Sequence, residues 1–265
     1  MNNKIVTLML KEWADVFRHR YVLFIVGLMP VIMVALPIIM LTVGSNPANL
    51  SGGNSELPAS ILSQPGFQGL TTAEALQAFL GMQFNVYFLI LPLAIPMTIA
   101  TYSIVGEKRD RSLEPLLAAP ITTSQLLAGK SIAAAAPGII AAWLSAIVYA
   151  IALQFVVQSA AVRALLLSGP FLTSVLVIAP LLTVLATTVG LSVSSRVNDP
   201  RVAEQLGMIV IVPVLGLVFA QIAGIVAYDM STVLISAAVL VVADLILLYV
   251  AVRLFQRETI LTRWK

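Results

Sequence analysis

Few side chains in this sequence have the chemistry for catalysis or metal binding. The chain has one histidine, His19, and no cysteine, so neither a zinc site nor a Cys–His pair can form. Gly129-Lys130-Ser131 resembles the end of a phosphate-binding loop, but that motif needs a glycine at position 124, where this chain has Ser124. The sequence therefore predicts no catalytic residues, no metal site and no ATP hydrolysis by the chain itself.

The densest group of charges lies in the segment 106–130, GEKRDRSLEPLLAAPITTSQLLAGK, within an otherwise apolar sequence. Leu113, Leu116 and Leu117 recur at helical spacing and predict a small apolar face with charged side chains around it. We interpret the segment as a docking element for a cytosolic partner. The alternative is that its basic residues only fix the topology and bind anionic lipid, which leaves the ordered leucines unexplained.

The composition predicts the class of protein. Of the 265 residues, 60% are hydrophobic and 10% are charged, whereas about 25% are charged in ordinary soluble domains. A water-soluble fold of this length has too little interior to bury so much apolar surface. The sequence therefore predicts an integral membrane protein.

Long apolar runs predict an all-α fold with six transmembrane helices, since about 20 apolar residues in a helix cross a hydrocarbon core of about 30 Å. The outer loop at 44–78 is rich in Ser, Asn, Gly and Pro. Near its end, Thr71 and Glu74 have the spacing of a capping box, which predicts a short helix. We predict transmembrane helices at 21–43, 79–105, 131–157, 171–195, 205–228 and 233–252, followed by a tail at 253–265.

Residues 4–20, before the first predicted span, have the periodicity of an amphipathic helix. Leu8 and Trp13 lie on its apolar side, and Lys11 and Glu12 lie on its polar side. This pattern favours an N-terminal helix in the membrane interface, with its basic face toward the lipid headgroups. The alternative is a helix that packs against its own protein.

The basic residues test this topology independently. Six crossings place both termini on the same side of the membrane as the segment 106–130 and the turn at 196–205. Of the 15 lysines and arginines, only Arg163 falls on the opposite side. The positive-inside rule therefore predicts that both termini are cytoplasmic.

Several polar side chains interrupt the apolar spans. Asp244 lies near the middle of the sixth predicted span, where a carboxyl group is costly and marks either a transport pathway or a buried partner. The other polar residues fit a cavity lining or hydrogen bonds between helices, and both interpretations stay open. The candidates for pathway lining are Gln83, Asn85, Tyr87, Thr98, Gln221 and Asp244.

Small residues repeat every four positions in two predicted spans. Such stripes let helix backbones approach closely. We therefore expect helix contacts there, either within one bundle or between two copies. The stripes are Ala134, Gly138, Ala142, Ala146 and Ala150 in the third span, and Gly216, Ala220 and Gly224 in the fifth.

Together these features resemble the ABC-2 family of ABC-transporter permeases. The resemblance covers essentially the whole chain and rests on the N-terminal helix, the six spans and a first cytoplasmic loop of the form E-K-x-x-x-S-L-E-P-L-L-x-x-P-I-T-x-x-Q-L-L-x-G-K. The very short turn between the last two spans departs from many relatives. The matching loop residues are Glu107, Lys108, Ser112, Leu113, Glu114, Leu116, Leu117, Pro120, Ile121, Leu126, Gly129 and Lys130.

The resemblance implies a non-enzymatic permease subunit in the cell membrane, surrounded by lipid and without a nucleic-acid partner. Two copies, or two related chains, would form the pore, and each would bind a separate ATP-binding subunit that holds ATP and Mg²⁺. Export is the expected direction, and a non-conducting scaffold that transmits force is the alternative. The residues implied in coupling to the ATPase are Glu107, Lys108, Arg109, Arg111, Leu113, Glu114, Leu116 and Leu117.

Overall fold

The computed structural model describes residues 2–44, 65–109 and 122–254, and every regular element in these ranges is helical. Short 3₁₀ turns occupy Pro65–Phe67, Phe88–Ile90 and Met208–Val210, and a π-helical turn occupies Ser174–Ile178. The α-helices are Asn2–Val16, Arg20–Gly44, Thr72–Tyr87, Leu91–Arg109, Thr123–Val156, Ala160–Leu166, Gly169–Thr173, Ala179–Ser194, Pro200–Gly207, Ile211–Ile222 and Met230–Leu254.

Six helical stretches within these ranges are long and apolar enough to cross a membrane, which confirms the predicted fold class. Some of them contain more than one helix, because short 3₁₀ or π turns interrupt spans 2, 4 and 5. In span 4, the extended residue Ser168 also separates the first two helices. We number them spans 1 to 6 in chain order. They are Arg20–Val43, Thr72–Glu107, Gln125–Val156, Ala160–Ser194, Pro200–Ile222 and Met230–Arg253.

Span 2 begins at the predicted capping box. The Thr71 hydroxyl accepts a hydrogen bond from the Glu74 backbone N–H at 3.3 Å, and Glu74 Oε2 accepts one from the Thr71 N–H at 2.9 Å. This reciprocal pair satisfies two backbone donors at the start of the helix. The helix that it starts is the first part of span 2 rather than a separate short element.

Span 2 is also the centre of the bundle. In its most apolar stretch, 89% of the residues are buried within the protein, against 17% in spans 1, 5 and 6. It packs most extensively against spans 3 and 4. The 3₁₀ turn at Phe88–Ile90 precedes Pro92, whose nitrogen has no hydrogen to donate to the Phe88 carbonyl. Spans 1, 5 and 6 lie outside this core and expose apolar surface.

The two small-residue stripes have different surroundings. In span 3, Ala134 and Ala142 are buried, and a Cβ added at Gly138 would lie 2.4 Å from Pro96 Cγ of span 2. In span 5, a Cβ added at Gly216 would meet no atom within 4 Å beyond its own helix backbone. The stripe in span 3 therefore serves packing within the bundle, whereas Gly216 faces the outside.

Arg163, the basic residue predicted on the outer side, has a structural role at the end of span 3. Its guanidinium donates to the Val157 carbonyl at 2.5 Å and to the Gln158 carbonyl at 3.0 Å. These carbonyls belong to the two residues that follow the helix, which ends at Val156. Arg163 thereby holds the turn between spans 3 and 4 in place.

Replacing Gly138 by Ala should destabilise the fold, because the rigid Pro96 ring cannot move aside without shifting the backbone. We expect a loss of about 1–3 kcal/mol, measured as a lower midpoint of thermal unfolding in detergent. The matched control is Gly216→Ala, which adds the same methyl group at an open position and should not lower the midpoint. Equal midpoints for the two variants would contradict the close packing of spans 2 and 3.

Candidate functional site

Four charged side chains, Lys11, Glu12, Glu107 and Lys130, meet where the N-terminal helix, the last turn of span 2 and the start of span 3 come together. Lys130 lies at their centre and is 2% exposed. Its Nζ is 2.8 Å from Glu12 Oε1, 2.8 Å from Glu107 Oε2 and 2.8 Å from Ser103 Oγ. We call the four charged residues the charge cluster, and this end of the bundle the cluster end.

The two carboxylates of the charge cluster come from different parts of the chain. Glu12, on the N-terminal helix, also accepts a short hydrogen bond from the Ser103 hydroxyl. Glu107, on span 2, also accepts from Lys11 Nζ at 2.7 Å. Lys11 extends the network to the rim, where it lies 3.2 Å from Asp15. Two lysines and two glutamates carry no net charge together, which lowers the cost of burying them.

An apolar contact and a hydrogen bond hold the N-terminal helix against span 3 beside the charge cluster. Leu8 lies so close to Gly129 that a Cβ added at this glycine would be 2.6 Å from the leucine Cδ2. Trp13 Nε1 donates to the Ala133 carbonyl at 2.8 Å. These contacts fix the position and the rotation of the helix. They thereby direct Glu12 toward Lys130.

The burial of Glu12 differs from the sequence interpretation, which places it on a polar face toward the headgroups. Glu12 is 2% exposed and shares its face with Leu8 and Val16, which are also buried. This face packs on the bundle because Lys130 supplies a partner for the carboxylate. Leu10, on another face, is 55% exposed, as an interfacial helix requires. The alternative interpretation, a helix packed on its own protein, therefore describes the face that carries Glu12.

The surroundings shift the pKa values of two members of the charge cluster. Burial alone would raise the pKa of Glu12, but the Lys130 charge and hydrogen bonds from Lys130 and Ser103 hold it below the usual value. Burial alone would lower the pKa of Lys11, but hydrogen bonding and attraction to Glu107 raise it above the usual range. Both shifts favour the charged forms.

The charge cluster flanks the predicted docking segment. Glu107 lies in the last turns of the helix that ends at Arg109, and Lys108 belongs to the same helix. After the segment, the Thr122 hydroxyl accepts from the Gln125 N–H and starts the helix that carries Lys130. The other residues predicted to couple to an ATPase lie outside the described ranges. They are Arg111, Leu113, Glu114, Leu116 and Leu117.

The residues predicted to line a pathway lie in several different surroundings. Asn85 Nδ2 donates to the Leu166 carbonyl at 3.0 Å, which ties span 2 to span 4. Gln83 and Gln221 border one narrow pocket between spans 2 and 5. Tyr87 packs against the apolar cluster that spans 2, 4, 5 and 6 share. Asn85 therefore makes a hydrogen bond between helices, whereas a role in lining a pathway stays a prediction for all four residues.

Asp244 has no such partner. It is 5% exposed in span 6, and neither of its oxygens accepts a hydrogen bond from any residue that the structure describes. Buried polar groups are normally hydrogen-bonded, because leaving one unpaired costs free energy. The described part of the chain thus lacks the interhelical bond that a purely structural carboxyl group would make.

A further buried carboxylate outside the charge cluster, Glu204 at the start of span 5, also lies at the cluster end. It is 6% exposed, and it accepts from Thr98 Oγ1 at 2.5 Å and from the Tyr21 hydroxyl at 3.2 Å. Thr98, a predicted pathway residue, thus belongs to this second site. Sequence reasoning did not assign Glu204 to a site. The available signal was a carboxylate on a helical turn just before a long apolar run.

Comparison with known families identifies a match over most of the chain. A profile described as ABC-2 family transporter protein matches residues 6–257. The matched range contains the charge cluster, Glu204 and all six spans. A search of curated proteins finds no match.

Replacing Lys130 by Met should destabilise the fold strongly, because Glu12 and Glu107 would stay buried without their shared cation. We expect a loss of about 3–5 kcal/mol, measured as a lower unfolding midpoint in detergent. The control Asp15→Asn, at the exposed rim, should cost less than about 1 kcal/mol. Adding Glu12→Gln to Lys130→Met should recover part of the loss. An absence of recovery would argue against direct pairing.

The lowered pKa of Glu12 predicts sensitivity to acid. A carboxylate whose pKa is lower in the folded state contributes stability above its unfolded value, and this contribution is lost as the pH falls through the folded pKa. The unfolding midpoint in detergent should therefore fall as the pH drops below the ordinary glutamate value of 4.5. Glu12→Gln should flatten this dependence. A parallel profile for the variant would assign the effect to other groups.

Proposed function

This chain belongs to the ABC-2 family of transporter proteins, and from that premise we propose that it is a permease subunit of an ABC transporter, coupled through the segment 106–130 to a separate ATP-binding subunit. The family member is the transmembrane component, a multi-pass protein whose six spans form the body of the permease. In our proposal the partner subunit holds ATP and Mg²⁺ and hydrolyses the nucleotide. We also propose that the membrane in which this permease lies is the cell membrane.

The position of the charge cluster is the observation that best supports coupling. Glu107 stands at the beginning of the segment 106–130 and Lys130 stands at its end, and the two side chains form an ion pair at 2.8 Å. A force on the segment would therefore reach spans 2 and 3 together. Glu12 joins the N-terminal helix to the same unit through its ion pair with Lys130.

The burial of these ion pairs suits the transmission of force. A partner shifts a conformational equilibrium only if its contacts differ between two states, and the segment that it contacts must move as a unit. Breaking a buried ion pair leaves an uncompensated charge, so the cluster resists local deformation. Span 2 lies at the centre of the bundle. Its displacement would alter the packing against every surrounding span.

The surroundings of Lys130 also support the assignment of ATP hydrolysis to a partner. The lysine of a phosphate-binding loop must reach the nucleotide phosphates with its ammonium group. Here that group is buried and contacts Glu12, Glu107 and Ser103. The resemblance of Gly129-Lys130-Ser131 to such a loop therefore has a structural explanation, because Gly129 makes room for Leu8 and Lys130 binds the carboxylates.

We further propose that the cluster end faces the cytoplasm and that the direction of transport is export. The basic residues at this end support the orientation through the positive-inside rule. We also propose that two copies, or this chain and a related one, form the complete permease. Spans 1, 5 and 6 leave most of their residues unburied by this chain, so apolar surface is available to a second copy.

Leu116→Asp should weaken assembly with a candidate ATP-binding subunit, because it places a charge on the predicted apolar docking face. We expect at least tenfold weaker complex formation, or about 1.4 kcal/mol, and loss of ATPase stimulation in the purified complex. Glu114→Arg should weaken the complex by reversing a charge at the edge of that face. Leu116→Met, which keeps the apolar character, is the matched control. Unchanged assembly for both test variants would contradict the docking role.

A further inference from the structure

A cleft of about 440 Å³ opens at the cluster end between the start of span 1, the end of span 2 and the start of span 5. Small-molecule sites in proteins commonly have volumes of about 300–1,000 Å³. The cleft is distinct from the charge cluster and shares no side chain with it. Its lining consists of Tyr21, Tyr102, Arg201, Glu204, Gln205 and Met208.

Glu204 is the buried acidic group of this cleft, and its partners are neutral. Thr98 and Tyr21 each donate a hydroxyl hydrogen bond, one to each carboxylate oxygen. Among the residues that the structure describes, no basic side chain forms an ion pair with Glu204 within 4.0 Å, in contrast to Glu12 and Glu107. Hydroxyl donors orient a carboxylate but leave its charge uncompensated. The site therefore favours a positively charged occupant.

Two tyrosine rings stand beside this carboxylate. The ring centroids of Tyr21 and Tyr102 are 5.7 Å apart and tilted by 35°, and His19 lies 5.6 Å from Tyr102. The faces of aromatic rings attract cations, most of all organic ammonium groups that lose water readily. Met208 adds an adaptable apolar contact. A carboxylate, aromatic faces and a thioether together suit a cation on a hydrophobic body.

Arg201 is the basic side chain in the lining. It precedes Glu204 by one helical turn and is exposed, whereas Glu204 is buried. Water and salt screen an exposed charge far more than a buried one. Arg201 therefore opposes a cation in the cleft only weakly, while Glu204 attracts it at close range.

We propose that this cleft binds an organic cation, an ammonium-type group on a hydrophobic body, with Glu204 as the counter-charge and Tyr21 and Tyr102 as aromatic walls. The proposal rests on the permease function, because it assigns the cleft to a transported cation or to the headgroup of a choline lipid. Both sources share the same quaternary ammonium chemistry. Their hydrophobic parts would extend past Met208.

The test uses the purified full chain in a neutral detergent. Radiolabelled tetraphenylphosphonium is the probe, and tetraphenylborate, which is similar in size and shape but opposite in charge, is the matched control. We expect saturable binding of the cation and no saturable binding of the anion. Equal affinity for both would overturn the proposal, because it would show that hydrophobicity alone drives binding.

Variants then locate the site. Glu204→Gln keeps the side-chain size and an acceptor for Thr98 but removes the charge, so it should weaken binding of the cation at least about tenfold. Tyr102→Leu should weaken it several-fold, whereas Tyr102→Phe, which keeps the ring face, should not. The control Glu74→Gln alters a partly exposed carboxylate at the other end of span 2 and should bind like wild type. Wild-type affinity in both Glu204→Gln and Tyr102→Leu would overturn the proposal.

Competition separates the two sources of the cation. Displacement of the probe by lysophosphatidylcholine, but not by lysophosphatidylglycerol, would support the site and identify a choline headgroup as its occupant. Displacement by neither, with saturable probe binding intact, would support a site for a free cation. Equal displacement by both lipids would contradict recognition of a cation.

Assembly with the ATP-binding subunit is measured on the same preparations. Glu204→Gln should assemble like wild type, since Glu204 is not part of the docking segment. Normal assembly by a wild-type chain that binds no probe would overturn the cation site alone. Normal probe binding by a chain that forms no complex would contradict the coupling proposal alone.

Discussion

Burying an ammonium group at the end of a membrane span costs several kcal/mol unless oxygen partners replace the lost water. Lys130 meets this requirement with Glu12, Glu107 and Ser103, which come from the N-terminal helix and span 2. No segment of the chain can supply all these groups alone. The ion pairs therefore determine which three segments must lie together. They do so at both ends of the proposed docking segment.

The remainder of the fold can be understood from this arrangement. The charge cluster joins the N-terminal helix, span 2 and span 3. The Gly138–Pro96 contact joins spans 2 and 3 again, deeper in the bundle. Spans 1, 5 and 6 lie around this core with little burial. Motion in such a protein is easiest between the core and these outer spans. The cleft that contains Glu204 lies at one of these boundaries, between spans 1, 2 and 5.

The sequence predicted what depends on local or compositional signals. Long apolar runs predicted the six spans, and the spacing of Thr71 and Glu74 predicted a helix start. The pairing of Glu12 with Lys130 joins residues 118 positions apart, so no local period contains it. Amphipathic periodicity even suggested the opposite orientation for Glu12, because it treats every charge as solvated. Glu204 was missed for the same reason, since only the fold brings Thr98 and Tyr21 to it.

If the charge cluster makes the N-terminal helix and span 3 one rigid unit, the distance between spin labels on these two elements should stay fixed. Pulsed spin-label spectroscopy measures this distance. The chain has no cysteine, so single cysteines replacing the exposed Leu10 and Ile147 can be labelled without background. In the complex with the ATP-binding subunit, with the labelled chain diluted into unlabelled chain, we expect one narrow distance within the chain that ATP does not change. A broad distribution, or a distance that shifts with nucleotide, would contradict it.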